Sequence, residues 1–306
     1  MDVPSSVAGV TKASSDVSLG RITKQQLAIL KLIHGFRFVS TKHVQAQLGK
    51  RQLQQAQQRL NTLLDKHYIG RNFSSKDRLT GTYSSYYLLP DGIKLLKRDR
   101  FTSDKRVFHN IYKDKTASSR FIRHQLGIGD IYLEFKRLYA EDERLDFMTK
   151  SQILSNFDYD YEDNPDNGHW YEFLPEPLPD ALVTIFAEDY SGQEYFLEYL
   201  EDSVPFFVYR NRIKFYEQYA EEGTWQDAIG PSPTPPILLV CESPTLQRRI
   251  LRFLKRYMEN VYEELSFYVT TLDSLNSASG KDDEIWRAVD EEPRAPRALQ
   301  DMPLKI

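Results

Sequence analysis

Two acidic side chains on neighbouring predicted strands are the best candidates for chemistry in this sequence. Asp180 follows a proline at the entry to one predicted strand, and Glu198 lies in the strand that returns beside it. Carboxylates placed in this way can hold a divalent cation next to a phosphate group, and a nearby positive charge can stabilise the reacting oxygen atoms. Lys214 in the next predicted helix is the candidate for that positive charge, with Arg212 as the alternative.

A second candidate surface is the polar face of a helix predicted from about residue 51 to residue 66. Its apolar residues recur at helical spacing, and the opposite face is rich in glutamine. Gln and Asn side chains can bond bidentately to adenine and Arg to guanine, so this face could read bases in a major groove. The base-contacting candidates are Gln52, Gln55, Gln58 and Arg59, and the phosphate-contacting candidates are Lys42, Lys50, Arg51, Arg71, Lys76 and Arg78. A solvated helix face or a coiled coil would explain the same pattern without a ligand.

The charge of the chain divides near residue 115. Residues 1–115 carry 21 Lys and Arg against 8 Asp and no Glu, whereas the remaining residues carry 19 Lys and Arg against 36 Asp and Glu. The net charge of −4 therefore combines a strongly basic part with a strongly acidic part. A basic part of this strength indicates a polyanionic partner such as nucleic acid, and the division indicates two separate roles.

The basic part has the element order of a winged helix-turn-helix, in which the third helix enters the major groove. Thr23 and Ser40 are the expected N-caps of its first two helices. Gly, Ser and Asp between the two later strands predict a polar turn that carries two of the phosphate-contacting candidates. The predicted helices cover about 23–35, 41–48 and 51–66, the predicted strands cover 67–73 and 86–89, and Pro90 opens a fourth helix.

The acidic part predicts an α/β fold, because strands and amphipathic helices alternate along it. Its first helix carries His124 near its start, and this residue is expected to make structural hydrogen bonds. The predicted helices cover 121–138, 208–219 and 246–262, and the predicted strands cover 147–156, 178–186, 195–200, 237–241 and 267–271.

Length and composition predict a multi-domain α/β protein of the cytoplasm. A chain of 306 residues has room for two domains. Its single cysteine excludes an intrachain disulfide and a multi-cysteine zinc site, and no apolar stretch is long enough for a membrane span or a secretory signal. The predicted segments are a disordered tail (1–20), a DNA-binding domain (21–100), a basic linker (101–119), an α/β domain (120–290) and a loose C-terminal tail (291–306).

The order of motifs resembles the replication-relaxation family of plasmid and mobile-element proteins, over roughly residues 23–290. The matching features are Tyr86-Tyr-Leu-Leu with Gly92, His124-Gln-Leu, Pro179-Asp-Ala-Leu, Phe196-Leu-Glu, Arg212 with Tyr216, Ile237-Leu-Leu-Val, Arg248 or Arg249, and Ile285-Trp286. The resemblance implies a winged helix followed by an α/β domain similar to restriction endonucleases of the PD-(D/E)xK type. It also implies a protein that binds double-stranded DNA in replication, mobilisation or transcription control.

The sequence departs from the nuclease pattern at the position where a lysine is expected. That position, two residues after Glu198, is Leu200, and Glu201 should face away from Glu198 because side chains alternate along a strand. Asp130 or Glu134 would have to supply a further acid. We therefore expect no cofactor, and we expect an inactive nuclease-like domain that serves self-association or the recruitment of a protein partner.

Two alternatives remain open from the sequence. The first is a Mg²⁺-dependent endonuclease that uses Asp180 and Glu198, with Lys214 or Arg212 as the cation. The second is a protein-interaction module whose winged helix docks on protein instead of DNA.

Overall fold

The computed structural model describes residues 22–49, 53–73, 84–98, 111–139, 145–154, 173–187, 191–259, 265–289 and 295–301. It is a mixed α/β structure with one small and one large sheet. The α-helices are α1 (Lys24–Phe36), α2 (Thr41–Gln47), α3 (Leu53–Asp65), α4 (Pro90–Arg98), α5 (Ser119–Tyr139), α6 (Lys150–Ile153), α7 (Phe206–Glu221), α8 (Thr224–Ile229), α9 (Pro244–Met258) and α10 (Leu272–Ser277). None of these helices combines the length and the apolar character that a membrane span requires.

The small sheet holds the first three helices in place. Its strands are β1 (Val39–Ser40), β2 (Ile69–Asn72) and β3 (Ser85–Leu88), and β3 lies between the other two in antiparallel pairing. All four residues of β3 are buried, as expected for a central strand. Capping boxes start α1 at Thr23 and α2 at Ser40, which confirms both predicted N-caps.

The large sheet has six strands in sequential order. They are β4 (Leu145–Thr149), β5 (Ala181–Phe186), β6 (Gly192–Leu200), β7 (Ile237–Cys241), β8 (Phe267–Thr271) and β9 (Arg287–Ala288). The first three strands pair antiparallel, β6, β7 and β8 pair parallel, and β9 pairs antiparallel with β8. The parallel pairs require crossover connections, which α7 and α9 supply.

The two faces of the large sheet belong to two separate cores. Leu238 and Val240 of β7 pack with α5 and with the N-terminal elements. Leu239 and its neighbours on the other face pack with α7 and α9 instead. Because side chains alternate along a strand, α5 and α9 cover opposite faces of the sheet.

The N-terminal elements share a continuous core with the large sheet. Phe36 of α1 lies against Tyr132 and Phe147, with ring centroids 5.1 and 6.4 Å apart. The Thr149 hydroxyl donates to the carbonyl oxygen of Gly35 at 2.5 Å. Directly after α1, Arg37 forms an ion pair with the buried carboxylate of Asp114. Burial raises the pKa of Asp114 to about 6, although the Arg37 guanidinium opposes the shift.

The structure contradicts two sequence-based expectations, one near residue 150 and one at the C-terminal end of the described chain. The predicted strand over 147–156 ends at Thr149, because Thr149 and Gln152 form a capping box that starts α6. In the C-terminal segment that was expected to be loose, Ala298 and Leu299 are buried, and Trp286 exchanges backbone hydrogen bonds with Arg297. Leu299 belongs to the same core as Trp286, a long-range relation that local composition does not reveal.

Gly92 is required by a close approach between α4 and the chain that enters β2. A Cβ atom at this position would lie 2.2 Å from the carbonyl oxygen of Tyr68. Gly92→Ala should therefore lower the free energy of unfolding by about 1–3 kcal/mol, because overpacking outweighs a helix-propensity gain of about 1 kcal/mol. Urea denaturation measures the change. Gly280→Ala is the matched control, since no atom lies within 4 Å of its added Cβ; equal stability losses for the two variants would contradict the expectation.

Candidate functional site

A cavity of about 460 Å³ lies between α5, the ends of β5 and β6, and α7. Its lining brings together Asp180 and Glu198, the two acids that the sequence singled out. Asp180 lies immediately before β5, and Glu198 lies near the end of β6. The remaining lining residues are Ser118, Arg120, Phe121, His124, Tyr199, Leu200, Glu201, Val204, Val208, Tyr209 and Arg212.

His124 bridges two carboxylates at the wall of this cavity. Its Nε2 lies 3.1 Å from Asp180 Oδ1, and its Nδ1 lies 3.1 Å from Glu201 Oε2. Burial alone would lower the pKa of His124, but the carboxylates of Asp180 and Glu201 raise it to about 10. The ring is therefore an imidazolium at neutral pH, and both of its nitrogen atoms donate.

The carboxylate of Asp180 is fully engaged. Its Oδ1 accepts from His124, and its Oδ2 accepts from the backbone N–H of Tyr199 at 2.9 Å. Burial alone would raise the pKa of Asp180, but His124 and the Tyr199 N–H hold it below its ordinary value. Asp180 is therefore a carboxylate with both oxygen atoms bound.

A glycine lets α5 approach the strand that carries these partners. The ring of Tyr199 stacks on His124 with centroids 5.6 Å apart. A Cβ atom at Gly127 would lie 2.3 Å from the same tyrosine ring. A larger residue there would clash with the Tyr199 ring, so either the ring or α5 would have to shift.

Glu198 is bound from the opposite face of the sheet. Its Oε1 accepts from Arg212 Nε at 2.7 Å, from Arg212 Nη2 at 2.5 Å and from the Tyr216 hydroxyl at 2.6 Å. Burial raises the pKa of Glu198, and the Arg212 guanidinium opposes that shift. Arg212 and Tyr216 lie one turn apart on α7, so this single helix supplies both donors.

The carboxylates are therefore partnered by side chains instead of being arranged for a cation. Glu198 bonds to α7 while Glu201 bonds to α5, which confirms that these two acids point to opposite sides of β6. Within the described ranges, no group of three or more His, Cys, Asp or Glu side chains is placed to hold a metal ion. Lys214 is exposed and does not line the cavity, so the structure separates it from Asp180 and Glu198. Arg212, the alternative cation, is the one that reaches Glu198.

The second candidate surface is the outer face of α3. Ala56, Leu60 and Leu63 are buried and hold the helix on α2 and β2. Gln55, Gln58 and Arg59 are exposed together on the opposite side. The structure thus brings three of the four base-contacting candidates onto one solvent-facing surface, and Gln52 lies outside the described residues.

Gln57 differs from the exposed glutamines of α3 because its side chain is hydrogen-bonded to neighbouring elements. Its Nε2 donates to Tyr86 Oη at 3.0 Å and to Asn61 Oδ1 at 3.0 Å. Its Oε1 accepts from the Thr41 hydroxyl at 3.1 Å. Gln57 therefore fastens α3 to α2 and β3, whereas the neighbouring glutamines are left for the solvent-facing surface.

The phosphate-contacting candidates have different surroundings. Arg71 is exposed on β2. Lys42 Nζ lies 3.3 Å from Asp130 Oδ1, and His43 Nε2 lies 3.2 Å from the same oxygen, so an acid of α5 partly neutralises Lys42. Lys50, Arg51, Lys76 and Arg78 lie outside the described residues.

Sequence reasoning missed the roles of two residues at the site, namely Glu201 in the cavity lining and Tyr216, which bonds to Glu198 from α7. Glu201 is only 2 % exposed, although it is charged and follows the last residue of β6. Tyr216 matched the family pattern, but its bond to Glu198 was not foreseen. A buried acid next to a strand end is visible only after α5 brings His124 against it, so no local signal identifies it.

The comparisons with known proteins identify one family. The model of the replication-relaxation family matches residues 30–234, which contain α3, His124, Asp180, Glu198 and Arg212. No curated protein and no solved structure matches the chain significantly. The match extends over more than half of the chain and covers both candidate surfaces, and the protein therefore belongs to the replication-relaxation family.

Proposed function

We propose that the protein is a duplex DNA-binding accessory or regulatory protein of a plasmid or another mobile element. Membership of the replication-relaxation family supports a role in replication or mobile-element function. The N-terminal elements have the helix and strand order of a winged helix-turn-helix, with α3 as the recognition helix. DNA is the ligand that suits a basic N-terminal part in which the exposed amides of Gln55 and Gln58 flank the guanidinium of Arg59.

The exposed face of α3 is the observation that carries this proposal. Apolar residues hold the inner face, so the outer face can enter a groove without unfolding any packing. Arg59 is exposed and forms no ion pair with any described residue. An arginine in this position can bond bidentately to guanine, and flanking glutamines can bond to adenine.

The α/β part is proposed to be a nuclease-like domain that no longer cleaves DNA and serves self-association or partner recruitment. Metal-dependent cleavage needs carboxylates that converge on a cation. Here the imidazolium of His124 and the guanidinium of Arg123 together balance Asp180 and Glu201, and the guanidinium of Arg212 balances Glu198. A divalent cation would have to displace these internal cations before it could bind.

Removal of two positive charges tests the DNA-binding proposal. Arg59→Ala combined with Lys76→Ala should weaken duplex binding and reduce the slope of log affinity against log salt by about one unit. The lost phosphate contact of Lys76 removes roughly 0.9 of a unit, whereas the lost base contact of Arg59 costs about 1–3 kcal/mol of affinity. Fluorescence anisotropy with a labelled duplex measures both affinity and slope. Lys24→Ala combined with Lys94→Ala removes the same charge from α1 and α4 and should leave the slope unchanged. Unchanged affinity and slope in the Arg59 and Lys76 variant would rule out this surface.

A cleavage assay tests the endonuclease alternative. Supercoiled plasmid incubated with the full chain and Mg²⁺ or Mn²⁺ should stay intact, because the carboxylates are held by His124 and Arg212. Cleavage that is lost in Asp180→Ala would overturn the proposal that this domain is inactive.

A further inference from the structure

We propose a second nucleic-acid contact surface on α9, which binds the phosphate backbone of a duplex independently of α3. A groove of about 250 Å³ lies between α9 and β9, and the described residues that line it include four cations and no acid. The cations are Arg248, Arg252, Lys255 and Arg287, and the apolar floor is Leu251, Ala288 and Val289. This concentration of positive charge lies in the part of the chain that is otherwise strongly acidic.

The spacing of the cations on α9 suits a row of phosphates. Arg248, Arg252 and Lys255 recur after four and three residues, which places them on one face of the helix. With a rise of about 1.5 Å per residue, the row is roughly 10 Å long. One strand of DNA carries a phosphate about every 3.4 Å along the helix axis, so the row spans about three phosphates.

Two of these cations have no partner that would explain them structurally. Arg252 and Lys255 are exposed, and neither forms an ion pair with any residue in the described part of the chain. Arg249, which does not line the groove, packs its guanidinium 4.1 Å from the centre of the Phe206 ring. The helix therefore separates a structural arginine from a row of cations that faces the groove.

The position of α9 places this surface on a different side of the molecule from α3. The core side of α9 packs on the sheet face opposite α5, whereas the N-terminal elements share the core of α5. A duplex on α9 and a duplex on α3 would therefore contact different sides of the molecule. One molecule could then hold two duplex segments at the same time.

Removal of two groove cations tests the second surface. Arg252→Ala combined with Lys255→Ala should reduce the salt slope for duplex binding by about two units, both in the native chain and in the Arg59 and Lys76 variant. Duplex attached to beads should retain a second, labelled duplex through the native chain, and this capture should be lost in the groove variant. Lys136→Ala combined with Arg210→Ala removes the same charge from exposed positions on α5 and α7 and should change neither result.

The outcomes separate this proposal from the one on α3. A slope change in the groove variant alone would contradict the α3 proposal and support the second surface. Unchanged slope and capture in the groove variant would overturn the second surface and leave the α3 proposal intact. An acidic peptide is the alternative ligand for this groove, since the acidic residues 290–292 of the chain itself follow Val289 in sequence. Poly-glutamate is therefore the competitor that tests this alternative. Stronger, Arg252-dependent binding of poly-glutamate than of duplex would show that the groove takes an acidic peptide and would also overturn the proposal.

Discussion

We expect His124→Ala to lower the free energy of unfolding by about 3–5 kcal/mol at pH 7, because the buried carboxylate of Glu201 would lose its nearest cation and the half-buried carboxylate of Asp180 would lose its ion pair. Asp180 and Glu201 each lie 3.1 Å from a nitrogen of this ring, whereas Arg123 Nε lies 3.7 Å from Glu201 Oε1. Asp180 would keep only the N–H of Tyr199. The loss should therefore exceed that of an ordinary surface substitution, which stays within about 0.5 kcal/mol.

The stability contribution of His124 should depend on pH in a defined direction. The folded protein holds the pKa of His124 at about 10, above its ordinary value of 6.5. A raised pKa means that the contribution is complete below about pH 6.5 and is lost as the pH rises toward 10. Urea denaturation of native and variant protein at pH 7, 8.5 and 9.5 should show the stability gap narrowing with increasing pH. A gap that is absent at pH 7, or that stays constant to pH 9.5, would contradict the assignment of an imidazolium.

We expect Arg212→Ala to have a loss of similar size, about 3–5 kcal/mol at pH 7, because Glu198 would remain buried without its counter-charge. The carboxylate would keep only the hydroxyl of Tyr216. Burial already raises the pKa of Glu198, and removing Arg212 should raise it further. A raised carboxyl pKa favours the folded state at low pH, so the loss should shrink as the pH falls toward 4.5.

A matched variant separates the charge of Arg212 from the hydrogen bonds around Glu198. Tyr216→Phe removes one hydrogen bond to the carboxylate and leaves the ion pair, so its loss should be about 1.5–3 kcal/mol. Urea denaturation at pH 7 and pH 5 measures both variants. If Tyr216→Phe costs as much as Arg212→Ala, the ion pair is not what holds Glu198.

The parts of the fold that could be predicted are those that depend on local spacing. The amphipathic pattern of α3 and the apolar runs of β7 and β8 define elements whose own residues carry the signal. The short helices α8 and α10 and the two-residue strand β9 were missed, because they are too short to show a period. Trp225 of α8 is buried, and Leu275 of α10 and Ala288 of β9 share one core with Trp286.

For the candidate site, the identity of the two acids could be predicted from the sequence, but their chemical state could not. Asp180 and Glu198 could be named because each lies in a short motif, Pro179-Asp-Ala-Leu and Phe196-Leu-Glu, that resembles the family pattern. Their chemical state could not be deduced, since it depends on His124 from α5 and Arg212 from α7. The sequence distance from Asp180 to His124 is 56 residues, so only the tertiary structure shows that the acid is neutralised.

The polar face of α3 could be predicted from the sequence, but which of its glutamines are bound to neighbouring elements could not. The helical period separates an apolar from a polar side, and that separation is observed. The period alone does not show that Gln57 is held by Tyr86 and Thr41 while Gln55 and Gln58 remain exposed. The distinction comes from the small sheet, whose central strand β3 brings the Tyr86 hydroxyl to the helix.

The central claim is that the outer face of α3 binds the groove of a duplex, and amide hydrogen exchange of the full chain with and without duplex DNA tests it most directly. At low salt, saturating duplex should slow exchange across residues 53–65, and the protection should disappear as salt is raised, because phosphate contacts release counterions. Duplex binding that leaves exchange in residues 53–65 unchanged, or that shows no dependence on salt, would contradict the claim.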